Sequence, residues 1–324
     1  MRRRELVLAG LGLAVLALSG TGVAGCQAKP EEARLRVGLL PILDALPMYV
    51  AEVEGFYREQ GLEVELVLFA SALERDAAIQ AGQLDLLLND LVSAALLSKD
   101  GDRVRVIRLA YQGNPVLPMM LILAAPTSTI RAPADLRGVP IAVSGNTVIE
   151  YSTDRMLEAA GLAPSDIQKT EVTKIPVRAE MLAKGQVQAA TLPEPLASLA
   201  ISQGARRIVD DGESGIGQSV ITASKEAVDR RAGQLRQFLL AYERGVDALT
   251  RNPEGYRALF VEKAKVPDAL RDRLAVPPYP KAQVPSREDV AAVMAWAVRR
   301  GLISREIPYE AIVDGTFLPG AAGR

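Results

Sequence analysis

From Leu35 to about Leu109 short apolar runs alternate with stretches of helical period, the pattern of strands laid between helices. "LRVGLL" is a buried-strand run. In "LPMYVAEVEGFYREQ" after it, Met48, Val50, Val53, Phe56 and Tyr57 form an apolar stripe at roughly helical spacing, and Gly61 is placed to close the helix. "LEVELVLF" alternates with period two and predicts a second strand, and a helix from Ser71 to Ala81 follows with Gly82 behind it. "LDLLL" and "VRVIRLA" supply further strands around a helix at "LVSAALLS". The alternation restarts at "PMMLILAAP", passes through a helix in "TVIEYSTDRMLEAAGL" closed by Gly161, and runs to about Asp210. Ser224 to Leu249 is predicted as one long helical stretch, and shorter helices follow, one opened by a capping-type Ser286-x-x-Asp289. Two α/β units with mostly parallel sheets, then a helical tail packed on one of them, is the predicted architecture.

The first residues follow another pattern. Arg2, Arg3 and Arg4 precede an apolar run from Leu6 to Leu18, shorter than the roughly 20 residues of a spanning helix, and small residues follow. This reads as a secretory signal peptide over residues 1–25; an uncleaved anchor is the alternative. Val23-Ala24-Gly25-Cys26 resembles the bacterial lipobox, and Cys26 is the only cysteine of 324 residues. Two acyl chains on Cys26 hold a protein at a membrane surface far more firmly than one. Residues 26–33, polar and Pro-containing, read as a tether. Lipidation at Cys26 and an extracytoplasmic, membrane-anchored location are therefore expected.

Composition narrows the chemistry. The absence of histidine removes the commonest general base and metal ligand, and one cysteine forms neither an internal disulfide nor a thiolate cluster. A formal charge of −1, one Trp and five Phe argue against nucleic acid as a partner. No cofactor or metal is expected, and no nucleophile with an activating base stands out.

Four segments in order carry a resemblance: "RVGLLPILDALPMYVAEVEGFYREQGLEVELV", "AAIQAGQLDLLLND", "DLRGVPIAVSGNTVIEYSTDRMLEAAGL" and "MLAKGQVQAATLPEP". Together they resemble the substrate-binding proteins of bacterial ABC importers, in the SsuA/THI5-like (NMT1) group of nitrate, sulfonate, taurine and thiamine-pyrimidine binders. The resemblance implies a periplasmic-binding-protein type II fold, two α/β lobes of Venus-flytrap form, with residues 34–122 and 223–324 in lobe I and 123–222 in lobe II. Crossings near 121–125 and 221–224 are expected. A monomer that binds a small-molecule solute and meets ABC permease and ATPase subunits is implied. A solute-sensing lipoprotein, or an enzyme of the same fold of the menaquinone- or pyrimidine-pathway type, is the alternative.

In open α/β sheets ligands bind beyond the carboxyl ends of strands, at helix N-termini. That rule selects Asp44, Ser71, Arg75, Asn89, Asp90, Tyr111, Gln112, Asn146, Thr147, Tyr151 and Glu194 as candidate solute contacts. Each has a plainer role open to it: Asp44 as a helix cap, Ser71 with Glu74 and Thr147 with Glu150 as capping boxes, Glu194 as a carboxylate at a helix N-terminus. These loops hold several carboxylates against one cation, Arg75. An oxyanion wants Arg forks or clustered donors, so the charge favours a ligand rich in N–H donors, an aminopyrimidine-like heteroaromatic or an amine, with Tyr111 and Tyr151 as stacking faces.

Overall fold

In the computed structural model, residues 34–321 are described. The expected signal peptide, Cys26 and the tether lie outside them. Among the described residues ten strands occur: β1 Arg34–Leu39, β2 Glu63–Leu68, β3 Leu86–Asp90, β4 Val104–Gln112, β5 Met120–Ala124, β6 Ile141–Val143, β7 Lys169–Glu171, β8 Ala189–Pro193, β9 Arg206–Asp210 and β10 Gln218–Ser224. They form two five-stranded mixed sheets, ordered β2-β1-β3-β10-β4 and β7-β6-β8-β5-β9. β1 lies parallel to β2 and β3, and β6 parallel to β7 and β8. In each sheet the fourth strand runs antiparallel to both neighbours: β10 in the first, β5 in the second.

Those two antiparallel strands correct the expected crossings. β4 ends in the first sheet at Gln112 and β5 begins in the second at Met120, while β9 ends at Asp210 and β10 begins at Gln218. The chain therefore passes between sheets at 113–119 and 211–217, a few residues ahead of the expected positions. The apolar runs at 120–124 and 218–224 each belong wholly to the sheet they enter. Here each half is called a lobe after its sheet.

The helices are α1 Leu46–Val53, α2 Phe56–Glu59, α3 Ala72–Gln80, α4 Leu91–Leu97, α5 Val148–Ala159, α6 Ile175–Ala183, α7 Leu196–Ser202, α8 Lys225–Arg230, α9 Ala232–Arg251, α10 Arg257–Lys263, α11 Arg287–Arg299 and α12 Tyr309–Ile312. Two expected single helices are each two. Gly55, at φ 76, separates α1 from α2, and Arg231, at φ −126 and ψ 23, separates α8 from α9. Capping signals hold: Ser71 Oγ accepts from Glu74 N–H, and Ser286 Oγ from Asp289 N–H at 3.0 Å. α9 packs on α1 through Gly245, where a Cβ would fall 2.4 Å from the Pro47 carbonyl oxygen. α4 and α11 cover the opposite face of the first sheet, around Trp296.

Both crossings meet at one side chain. Asp211 is fully buried, and its carboxylate accepts the N–H groups of Met119 (2.8 Å), Met120 (3.0 Å) and Gly217 (3.0 Å). Gly113 N–H donates to Gly217 O, and Gln112 Nε2 to Gly215 O, joining the two segments directly. A Cβ on Gly217 would lie 2.3 Å from Asp211 Oδ2, so glycine is needed for this approach. Removing the carboxylate strands three buried donors at about 1–3 kcal/mol each. Asp211→Ala is expected to lower the unfolding free energy by about 3 kcal/mol or more in urea titration. A midpoint within error of the parent would contradict this role.

Candidate functional site

The loops after β1, β3, β6 and β8 lie at the carboxyl ends of their strands, the positions the carboxyl-end rule selects. The loop after β1 turns through a 3-10 segment, Leu43–Ala45, pinned where Tyr279 Oη donates to Leu43 O at 2.7 Å. Asp44 in this turn is 2% exposed, and its Oδ2 has no hydrogen-bond partner. It caps no helix: α1 starts without a side-chain cap bond. Burial pushes the Asp44 carboxyl up to about 6, moderated by Ser219 beside it, and no cation acts on it.

Strand β10 supplies the neighbours. Its side chains alternate, Val220 entering the cluster of α4 and α11 and Ile221 that of α1 and α9. Ser219 therefore faces the Asp44 side and Gln218 the other, and both Ser219 Oγ and Gln218 Oε1 are buried without partners. Tyr111 stands over Tyr279 edge to face at 5.8 Å. Burial raises its phenol first, then the charges of Asp44, Asp211 and Glu194 raise it further, so three carboxylates from both lobes and the crossing lie within electrostatic reach of one hydroxyl. Burial also raises Glu194, against the pull of Ser198 and Arg207. The arrangement is a set of acceptors short of donors. Among the described residues no group of three His, Cys, Asp or Glu side chains is arranged to hold a metal ion.

The structure spreads the other expected contacts over structural tasks. Arg75 is 2% exposed, paired with Asp76 and donating to Leu88 O at 2.7 Å, so the one cation of these loops is committed inside lobe I. Asn89 is satisfied at both ends, by Ser93 and by Thr222 Oγ1 at 2.6 Å. Asp90 caps α4 through Ser93 N–H at 2.9 Å, with its carboxyl raised to about 6 by burial. Ser71 caps α3 and Thr147 caps α5. Asn146 takes φ 58 and gives its N–H to Glu150 Oε2. Tyr111 is fully buried with Oη donating to Leu117 O, so it presents no open stacking face, and Gln112 Nε2 donates across the crossings to Gly215 O. Tyr151 packs edge to face on Trp296 at 5.5 Å. Glu194 accepts from Ser198 N–H and Oγ at the start of α7, the helix-terminal role.

Arg178 was not among the expected contacts. It is wholly buried on α6 and donates to Ser144 Oγ (2.8 Å) and Val172 O (2.7 Å), yet Nε and Nη2 have no partner, and burial draws it down to about 10. Its signal is an internal repeat. Arg75 and Arg178 each stand four residues after a helix N-cap and seven before a Gly-Gln pair, but the Asp76 that neutralises Arg75 is replaced by Ala179. Asp211, Gln218 and Ser219 sit in "DDGESGIGQS", whose three glycines mark the second crossing.

The model of the NMT1/THI5-like family matches residues 43–256, two thirds of the chain, from within the loop after β1 onward. The chain belongs to this family. An aliphatic sulfonates-binding protein of Escherichia coli (strain K12) is 30% identical to this NMT1/THI5-like chain over 257 residues, 76% of this chain and 74% of that protein. The alkanesulfonate-binding protein SsuA of Xanthomonas axonopodis pv. citri, solved with MOPS, matches with a TM-score of 0.73 at 21% identity, over 87% of this chain and 98% of that one. The desulfurization enzyme DszB matches with a TM-score of 0.63 at 18% identity, over 90% of this chain and 99% of that one. The two-sheet α/β architecture is that of the SsuA-type periplasmic binding proteins, and the fold also carries an enzyme.

Because burial raises the folded-state pKa of Asp44 from 3.8 to about 6, its ionised form opposes folding: stability is full below the lower value and falls as pH rises toward the higher. Asp44→Asn is expected to stabilise the unligated protein by up to about 3 kcal/mol near pH 7.5 and by nothing below about pH 3.8. Urea unfolding at both pH values checks this; an equal effect at both would remove the carboxylate as the cause.

Proposed function

We propose that this chain is the solute-binding component of an ABC importer, held outside the cytoplasm by lipid on Cys26, which captures a small organic solute between its lobes and delivers it to the permease. Its E. coli relative is a binding protein, which supports a receptor that performs no chemistry. The solute is a cation or N–H-rich heteroaromatic or amine. One observation carries this: Asp44 Oδ2 is buried without a hydrogen-bond partner, and only the Ser219 hydroxyl and the residue's own backbone offset its burial, with no cation among the described residues acting on it. A ligand N–H or ammonium would satisfy both the acceptor and the charge, where a sulfonate would add a like charge. A ligand touching both lobes favours the closed form, which the permease selects. The protein acts as a monomer in this scheme, with permease and ATPase as its partners.

A second reading keeps the relatives' chemistry. Arg178, with Nε and Nη2 unpartnered beside the Ser144 loop, is the donor an oxyanion would seek on a small rearrangement of that loop.

Thermal unfolding against a solute panel separates the two. At about 100 times its dissociation constant a ligand adds roughly 2.7 kcal/mol. Aminopyrimidines or amines are expected to raise the melting temperature, more strongly above about pH 6, where Asp44 ionises. A shift with sulfonates alone would establish the Arg178 reading instead, and no shift with any solute would count against the receptor role. Mass spectrometry of the membrane-extracted protein is expected to find a diacylglyceryl group on Cys26, and Cys26→Ala is expected to release the protein from the membrane; retention of that variant would overturn the anchor.

A further inference from the structure

We infer that α5 of lobe II and α11 of lobe I form a reversible latch that sets the balance between closed and open lobes, an inference that rests on the reading of the protein as a closing receptor. Four contacts make the latch. Trp296 Nε1 donates to Asp154 Oδ2 at 2.9 Å, and Arg300 Nη2 to Glu150 Oε1 at 2.7 Å. Tyr151 meets the Trp296 ring edge to face, and Leu91 and Val92 of α4 pack in the same cluster.

The charges are arranged so that parting costs little. Glu150 and Asp154 stand one turn apart on α5, and Lys169 of β7, in the same lobe, reaches both, at 2.9 Å and 2.6 Å. If α11 moves away, neither carboxylate is orphaned, because Lys169 and the Asn146 N–H stay with them. Two carboxylates and one lysine leave α5 one negative charge that Arg300 neutralises on closing. Arg300 is half exposed, its side chain at 43%, so water receives it on opening. A permanent core seam would also be closely packed. Here a cavity of about 140 Å³ lies beside the contact, lined by Tyr151, Arg155, Gln218 and Asp289, and Gln218 Oε1 is left without a partner. Both features fit a surface that comes apart.

Trp296 is the only tryptophan of the chain and is 1% exposed, so its fluorescence reads the latch without any ligand. Acrylamide quenching and small-angle X-ray scattering on the unligated full chain in mild detergent compare the parent with Arg300→Gln, and with Lys225→Gln, which breaks the exposed Lys225–Asp229 pair, as control. Arg300→Gln is expected to raise the quenching constant about two- to fivefold, the population shift an ion pair of this exposure supplies, and to expand the scattering profile. The urea midpoint should stay near that of the parent and the control should match the parent. Trp296→Phe, which removes the bond to Asp154, is expected to expand the profile in the same way. Unchanged quenching with unchanged scattering in Arg300→Gln, or expansion accompanied by a large fall in the urea midpoint in both variants, would make the contact permanent packing. Since no solute is used, this result stands apart from the solute panel: a panel without a hit overturns the receptor reading while leaving the lobe motion measured.

Discussion

Three backbone N–H groups converge on one buried carboxylate where the two crossing segments meet, and the placement of both sheets depends on that convergence. Asp211 takes its donors from the first crossing at Met119 and Met120 and from the second at Gly217. Each crossing ends by launching an antiparallel strand, β5 into the second sheet and β10 into the first, so the carboxylate fixes the origin of one strand in each lobe. Burial raises its carboxyl to about 6 even against these donors, which means ionisation is opposed by its surroundings and supported by the N–H groups alone. A joint tied by side chain to backbone at two short segments is stiff locally, and the lobe closure proposed above would have to turn about it.

The two lobes are one scaffold used twice. Strand order, the antiparallel fourth strand and the arginine four residues into α3 and α6 recur. What differs is how each arginine is neutralised. In lobe I, Asp76 closes the account of Arg75 internally, and the acceptors Asp44 and Ser219 are left over. In lobe II, Ala179 leaves Arg178 with idle donors, while the carboxylates Glu150 and Asp154 are engaged by Lys169 and by α11. The charge that reaches the interlobe space is therefore set by which partners the scaffold omits rather than by the residues it adds.

Elements with strong apolar period were legible along the chain, because burial on one face imposes the period directly. The strands of both sheets and the caps at Ser71, Thr147 and Ser286 fall into this group. Breaks were harder: Gly55 and Arg231 interrupt helices whose apolar stripes continue on either side, so periodicity alone bridges them. The crossings lie ahead of their expected positions because β5 and β10 are as apolar as any internal strand, and nothing in their composition says which sheet they join. At the site, residue type located the loops, but engagement is a three-dimensional property. Arg75 has a carboxylate one residue away and Asn89 finds Thr222 from a strand 133 residues later, whereas Asp44 Oδ2 finds no partner.

Unsatisfied polar atoms are rare in folded chains because each costs about 1–3 kcal/mol, so their positions are informative. Here they include Asp44 and Ser219 on one face of the first sheet, Gln218 on the other and Arg178 behind the Ser144 loop, beside core hydroxyls such as Tyr49, Tyr57, Ser98 and Ser152. A protein whose lobes never parted would gain by filling or pairing these sites, since substitutions to apolar residues of like shape remove the penalty. The receptor proposed above could not do so at the atoms its ligand must find. The same reasoning sets Glu150 and Asp154 apart: they keep Lys169 in their own lobe, so losing the contact with α11 would leave neither carboxylate unpaired, as the proposed latch requires.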